Sequence, residues 1–148
     1  MIEKRNAVEL IGMKLRTNNA DEMDPAKAGI GGLWQAFYDR AGSVLPSGAA
    51  VYGVYFNYES DMNGDFDVAV CADASSALQF AGAEPIAIRE GEYAVFRAKG
   101  EMPQTVINLW VEIWEYFQSG KSPYLRAYTT DFERYFGDDE VEICIAVK

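Results

Sequence analysis

The chain has 148 residues, of which 49% are hydrophobic and 14% aromatic, and its 23 acidic and 13 basic residues give a formal net charge of −10. This length predicts one domain with a sizeable core, and the apolar content excludes a disordered chain. The acidic balance and the lack of any Lys/Arg cluster argue against direct nucleic-acid binding, which requires a basic surface.

Histidine is absent from the sequence. This excludes Ser-His-Asp and Cys-His catalysis, His-ligated zinc and His-ligated haem, and we expect neither a metal nor a cofactor. No apolar run reaches the roughly 18 residues of a membrane span, and the first residues lack the layout of a signal peptide. Cys71 and Cys144 lie in strand-like segments without CxxC spacing. We therefore expect reduced thiols, no membrane association and a cytoplasmic protein.

In chain order, the first predicted elements are a strand over residues 7–16 and a helix. Asp24 can cap a helix and Pro25 suits its first turn, so the helix is predicted to start there and to continue through 33–40. The pattern then changes from helical to strand periodicity.

Two further strands are predicted at 49–59 and 65–74. The segment between them contains Asn63-Gly64, a dipeptide typical of hairpin turns. The first half of the chain is thus predicted to have the order strand, helix, strand, strand.

The second half repeats this order, with a strand at 90–100, a helix opening at Pro103, and strands around 124–136 and 141–147. Spacings of three and four residues give the helix one wide apolar face, which we expect to pack mostly into the core. That face consists of Val106, Leu109, Trp110, Ile113, Trp114 and Phe117.

Individual residues also match between the two halves, which favours an ancient duplication of a βαββ unit with pseudo-symmetry. The first repeat spans about 1–75 and the second about 84–148 of a single domain, predicted to be α+β with an antiparallel sheet and two helices. The matching segments are Leu33-Trp34 with Leu109-Trp110, residues 67–70 with 142–145, and Tyr55 with Tyr128.

The last strand of each half alternates branched residues with small or polar ones. The branched side is expected to face the helices. The other side carries one carboxylate in each half, Asp67 and Glu142. It is either a solvent-facing surface or the floor of a ligand cleft.

The whole pattern resembles the effector-binding domain shared by AraC-type regulators, the gyrase-inhibitory-protein-like family and the integron cassette effector-binding proteins. The resemblance covers nearly the entire chain and implies two pseudo-symmetric βαββ modules, a tandem SHS2-like arrangement, with a ligand cleft at their junction. It rests on YGVYFN at 52–57, EGEYAVFRAKG at 90–100, the helix with Leu109-Trp110, DFERYF at 131–136 and EVEICIAV at 140–147.

In the family, the glutamate of the FE pair is the buried acid of a pocket for lipophilic cations such as dyes and quaternary ammonium or phosphonium compounds. The resemblance maps that acid onto Glu133 and a second pocket carboxylate onto Glu142. Physical chemistry agrees, because a carboxylate buried among aromatic rings must raise its pKa or pair with a cation. Aromatic faces add cation–π attraction.

We therefore predict a ligand-binding site without catalytic residues, although core packing remains the alternative for each aromatic residue. Arg134 is expected to point away from Glu133, whereas Arg126 or Arg97 on a neighbouring strand could neutralise it. Neutralisation would argue against the pocket. The candidate site consists of Glu133, Trp110, Tyr55, Tyr52, Tyr128, Trp34 and Glu142.

The predicted function is small-molecule binding, as a stand-alone sensor or sequestering module of transcription-regulator type. No DNA-binding helix-turn-helix segment fits within the sequence, and it names no protein partner. We expect a binding protein rather than an enzyme. The alternatives are a hydrolase of cyclopropane-containing genotoxins, as reported among gyrase-inhibitory-like relatives, and a protein inhibitor of gyrase type.

Overall fold

A computed structural model describes residues 2–46, 48–73, 79–120 and 122–148. The predicted end of one strand at Ala74 and the boundary of the first repeat at 75 lie outside these ranges. The elements are β1 Ile2–Arg5, β2 Val8–Thr17, α1 Asn19–Glu22, α2 Ile30–Ala41, β3 Val51–Phe56, β4 Phe66–Asp73, β5 Glu84–Ile88, β6 Gly91–Lys99, α3 Gln104–Gln118, β7 Arg126–Phe136 and β8 Glu140–Val147.

The strands form one eight-stranded sheet in the order β1-β6-β8-β7-β3-β4-β2-β5, in which neighbouring strands are antiparallel. The predicted α+β class is confirmed. Of the six inner strands, β6, β8 and β7 come from the second half of the chain and β3, β4 and β2 from the first, whereas the edge strands are exchanged, with β1 beside β6 and β5 beside β2. Two βαββ units placed side by side would give the order of the inner strands, although the duplication itself stays a prediction.

The start of the first long helix was predicted wrongly. Asp24 accepts a hydrogen bond from the backbone N of Ala26 at 3.0 Å within a turn, and α2 begins at Ile30. Gly29, which precedes the helix, has no side chain to cap it. The Glu22 carboxylate caps it instead, accepting hydrogen bonds from the backbone N atoms of Gly29 and Ile30 at 3.0 Å each.

Each helix packs against the branched side of strands from its own half of the chain, as predicted. Around α2, Leu33 and Phe37 are buried against Phe66, Val68 and Val70 of β4. Around α3, Leu109 and Ile113 are buried against the branched residues of β8. None of the helices in the described ranges combines the length and apolarity needed to cross a bilayer.

The small-residue side of the sheet is neither a solvent surface nor a cleft floor. Ala69, Cys71 and Cys144 on this side are fully buried, in a cluster with Leu10 and Tyr93. All residues of this cluster belong to strands or their flanking segments, so the sheet itself curves to enclose it. Among the described residues, the face that carries the helices is therefore the one left for a cleft.

The helices leave the middle of that face uncovered. Helix α2 contacts β2 and β4, and α3 contacts β6. The central strands β3 and β7 therefore form the floor of a cleft between the two helices.

Strand β7 carries a buried ion pair beneath this cleft. Its register against β8 shifts between Arg126 and Asp131, and Tyr128 within the shift has a positive φ of 54°. Asp131 is fully buried and accepts hydrogen bonds from Arg126 Nη2 at 2.8 Å and from the backbone N of Ala146 at 2.9 Å. The Tyr58 hydroxyl donates to the same carboxylate.

We expect Asp131→Asn to lower the free energy of unfolding by about 3 kcal/mol, because it leaves the buried Arg126 guanidinium without its counter-charge. Urea denaturation followed by tryptophan fluorescence measures this. Asp138→Asn is the matched control: Asp138 is exposed, and its substitution should change stability by less than about 0.5 kcal/mol. Equal effects of the two substitutions would show that the ion pair does not stabilise the fold.

Candidate ligand-binding site

The strand register places the key side chains on the helix-bearing face. Gly53 of β3 lies opposite Glu133 of β7, and Val51 lies opposite Tyr135. Directly opposed residues share a face, as do residues two apart on one strand. Glu133, Tyr135 and Tyr55 therefore all project into the gap between α2 and α3.

Glu133 is buried, with 4% of its surface exposed, and its carboxylate accepts hydrogen bonds from three aromatic side chains. Trp110 Nε1 on α3 and the Tyr55 hydroxyl on β3 donate to Oε2 at 2.6 and 3.1 Å. The Tyr135 hydroxyl donates to Oε1 at 2.9 Å. One carboxylate thus joins a helix to both central strands.

Burial raises the pKa of Glu133, while its hydrogen bonds from Trp110, Tyr135 and Tyr55 act in the opposite direction. Burial, followed by the nearby Glu133 charge, raises the pKa of the Tyr55 hydroxyl well above its ordinary value. The same two causes raise the pKa of Tyr135. Both hydroxyls consequently stay protonated at neutral pH and remain donors to the carboxylate.

The arginines that could have neutralised Glu133 are engaged elsewhere. Arg126 and Arg97 pair with other carboxylates, at 2.8 and 3.0 Å. Arg134 lies on the opposite face of the sheet, as predicted, with its guanidinium over aromatic rings. Within the described parts of the chain, no Lys or Arg forms an ion pair with Glu133.

Two adjoining cavities of about 530 and 220 Å³ occupy the cleft. Tyr55 and Trp110 line both of them. The larger volume lies in the range of small-molecule pockets. Its wall includes Trp34, Tyr38, Tyr55, Trp110, Glu133 and Tyr135, and the wall of the smaller cavity includes Tyr58, Phe66, Trp114 and Arg126.

The structure brings together four of the predicted site residues: Glu133, Trp110, Tyr55 and Trp34. The Trp34 ring approaches that of Tyr135 edge-on, with centroids 5.3 Å apart. The other predicted site residues, Tyr52, Glu142 and Tyr128, lie elsewhere.

Tyr52 is corrected to a core residue. It precedes Tyr55 by three positions, so the alternation of a strand puts the two side chains on opposite faces. Tyr52 is 5% exposed and packs against Phe132 at a ring distance of 6.3 Å.

Glu142 is likewise corrected, because it does not reach the cleft. It lies opposite Arg134 in the β7–β8 register and so faces away from Glu133. Its carboxylate pairs with Arg5 at 2.8 Å and with Arg97 at 3.0 Å. Although burial acts to raise the pKa of Glu142, the Cys144 thiol and these arginines lower it overall.

Tyr128 is displaced by the irregularity in β7. Its ring lies 5.5 Å from that of Tyr58 and 4.5 Å from the Arg126 guanidinium. It lines a third cavity of about 300 Å³, which shares Met62 and Arg126 with the smaller cavity and to whose described wall Glu133 does not contribute.

The sequence analysis missed Tyr135 and Tyr38. Tyr135 follows Glu133 by two positions on one strand, so strand alternation alone would have placed it beside the carboxylate. Tyr38 follows Trp34 by four positions on α2, a spacing that puts both rings on one helix face. Their ring centroids are 6.2 Å apart.

Gly53 makes room for the buried carboxylate. A Cβ atom at this position would lie 2.7 Å from Glu133 Oε1 and 3.2 Å from the Trp34 ring. The carboxylate is held by hydrogen bonds from three side chains, so it cannot move aside without breaking them.

We expect Gly53→Ala to lower the free energy of unfolding by about 1–3 kcal/mol, because the added methyl group overpacks the site. Gly31→Ala is the matched control. A Cβ at Gly31, within α2, meets no atom within 4 Å, and this substitution should raise stability by about 0.5–1 kcal/mol through helix propensity. Thermal or urea unfolding compares the two. A Gly53→Ala variant that is as stable as wild type, or more stable, would contradict the close packing at Gly53.

Comparisons with known proteins agree along the whole chain. Residues 1–147 match the family Cass2, described as integron-associated effector binding protein. The integron cassette protein VCH_CASS2 from the mobile metagenome of Vibrio cholerae is 47% identical, with a TM-score of 0.93 over 100% of this chain and 95% of that chain. SAV2435, solved bound to tetraphenylphosphonium, is 21% identical, with a TM-score of 0.72 over 100% and 93%.

A curated relative gives a further comparison. The putative transcriptional regulator protein YobU of Bacillus subtilis (strain 168) is 32% identical over 131 residues, which cover 84% of this chain and 78% of YobU.

Proposed function

Because this chain belongs to the Cass2 family of integron-associated effector binding proteins, we propose that it binds lipophilic cations in the cleft above β3 and β7. The family assignment confirms the resemblance inferred from the sequence. The observation that carries the proposal is the Glu133 carboxylate, buried in a cavity wall and held by three neutral aromatic donors rather than by a cation.

A cation in the cavity would gain an attraction that no neighbouring charge cancels. Water is largely excluded around Glu133, so the Coulomb attraction is stronger there than at the protein surface. Trp110, Tyr55 and Tyr135 keep the carboxylate in place by hydrogen bonding and also present their rings to the cavity. Each well-placed ring adds roughly 0.5–2 kcal/mol of cation–π attraction.

The apolar wall sets the second requirement on the ligand. Trp34, Val106 and Ile107 supply hydrophobic surface around the charge, and its burial favours large organic cations over small inorganic ones. Non-directional contacts of this kind discriminate little between shapes. We propose a site that accepts flat or delocalised cations of several kinds.

The relatives support this proposal from another direction. SAV2435, which shares the fold, was solved with tetraphenylphosphonium, a lipophilic cation. YobU carries the name of a putative transcriptional regulator. We propose that this chain acts as a sensor or sequestering module for such compounds, with a sensor passing the signal on to transcription.

A hydrolase would use the same site differently. The raised pKa of Glu133 suits a general acid or base, but both oxygens already accept hydrogen bonds. A water molecule would have at most one free lone-pair position on this carboxylate, on Oε1. We therefore propose binding without turnover, so that ligand recovered after long incubation should be chemically unchanged.

We expect Glu133→Gln to weaken the binding of tetraphenylphosphonium by about tenfold or more, equivalent to about 1.4 kcal/mol. The substitution removes the charge, while the amide can still hydrogen-bond to Trp110 and the tyrosines. Isothermal titration calorimetry with folded wild type and variant measures the difference.

Asp138→Asn is the control for this experiment. Asp138 also lines the larger cavity but is exposed, so water screens its charge and the loss should be no more than about threefold. Similar losses of affinity in both variants would indicate that binding depends on the general surface charge rather than on Glu133. Unchanged binding in Glu133→Gln would refute the proposed role of Glu133.

We also expect the affinity for tetraphenylphosphonium to fall as the pH is lowered through the raised pKa of Glu133. Because the pKa of Glu133 is raised in the folded protein, the protonated carboxyl stabilises the ligand-free folded state at low pH. This stabilisation is lost as the pH rises through the pKa of the folded protein. The cation favours the ionised form instead. Tetraphenylphosphonium does not titrate, so the change reports on the protein, and the affinity of Glu133→Gln should vary less with pH. A pH-independent wild type would contradict the assignment.

A further inference from the structure

We propose that the cleft selects cations with few or no N–H groups, and that Tyr135 sets this selectivity by occupying Oε1 of Glu133. The inference rests on the proposed binding of cations. It adds a chemical criterion, the number of N–H donors, to charge and hydrophobicity.

The acceptor positions of Glu133 are nearly all used within the protein. A carboxylate offers about four lone-pair positions, two on each oxygen. Trp110 and Tyr55 take both positions on Oε2. Tyr135 takes one on Oε1, which leaves a single position free on the carboxylate.

A cationic ligand is therefore attracted by the charge of Glu133, but few hydrogen-bond acceptor positions remain on the carboxylate. A primary ammonium group has three N–H donors, which lose their water on entering the cavity and cost free energy if left unpaired. The positions that remain, one on Oε1 and one on each hydroxyl oxygen of Tyr55 and Tyr135, all lie around the carboxylate. The three N–H donors of an ammonium group point in diverging directions, so at least one of them stays unpaired. A quaternary ammonium or phosphonium ion has no N–H donor and incurs no such cost.

The other carboxylate in the described wall of the larger cavity does not remove this restriction. Asp138 is exposed, so an ammonium group beside it would remain hydrated and outside the aromatic part of the cleft. Charge and ring contacts are thus available deep in the cavity, whereas free acceptors are available mainly at its mouth.

Tyr135 is the donor whose removal should change this balance. Tyr135→Phe keeps the ring and its edge contact with Trp34 but releases Oε1 for a ligand N–H. Oε2 stays occupied by Trp110 and Tyr55. The variant therefore opens one strong acceptor without removing the charge or the apolar wall.

The test uses 1-naphthylmethylammonium with no, one, two or three N-methyl groups, a series with constant ring and charge at neutral pH. Calorimetry gives the ratio of the trimethyl to the primary affinity. Methyl groups add hydrophobic contact in every protein variant, so the ratio is compared between wild type and Tyr135→Phe. A shift in the Glu133 pKa acts on all four cations alike and cancels.

In wild type, affinity should rise with each added methyl group. In Tyr135→Phe, the ratio of the trimethyl to the primary affinity should fall by about fivefold or more, because the primary amine gains one hydrogen bond to a charged acceptor. Tyr116→Phe is the matched control: Tyr116 lies on α3 outside the described walls of both cavities, and its ratio should equal that of wild type.

Two results would overturn the inference and leave cation binding in place. One is a wild type that binds the trimethyl compound no more tightly than the primary amine. The other is an unchanged ratio in Tyr135→Phe. A wild type that binds neither the series nor tetraphenylphosphonium would instead refute the proposed function, and the inference with it.

Discussion

The cost of burying one carboxylate governs the design of this site. An ionised Glu133 at 4% exposure must be compensated, and the protein does so with neutral donors from α3, β3 and β7. These donors fix the positions of Trp110, Tyr55 and Tyr135, and the space that the carboxylate occupies leaves room only for a glycine at position 53. The negative charge is stabilised without being cancelled, which makes it available to a ligand.

The neighbouring carboxylate on the same strand shows the contrasting solution. Asp131 lies two positions before Glu133 on the same face of β7 and is also buried, yet it has its own arginine, Arg126, at 2.8 Å. Because Arg126 is held by Asp131, it does not neutralise Glu133. One carboxylate thus stabilises the irregular start of β7, while the other remains without a cation. The cleft lies above both, between α2, which contacts β2 and β4, and α3, which contacts β6.

Periodicity and turn chemistry predicted much of this fold, and long-range contacts account for most of the errors. Helix α3 and strands β7 and β8 follow from their apolar spacing. The start of α2 could not be predicted locally, because its cap comes from Glu22, seven and eight residues before the amides it binds. The alternation of side chains along β8 predicted that Glu142 faces away from the helices. It could not show that the curved sheet closes this face, so that the cleft lies on the face that carries the helices. Tyr128 was misplaced because the register shift in β7 has no clear sequence signal.

Trp110 connects helix α3 to the floor of the cleft. Its indole belongs to α3, its Nε1 bonds to a carboxylate on the sheet floor, and its ring lines both cavities. On the opposite side, Trp34 and Tyr38 of α2 line the larger cavity. Under the proposed function, a bulky cation between them would contact both helices and the central strands at once. Because each helix is held by its own core cluster, the distance between α2 and α3 limits the size of the cation that the cleft can accept.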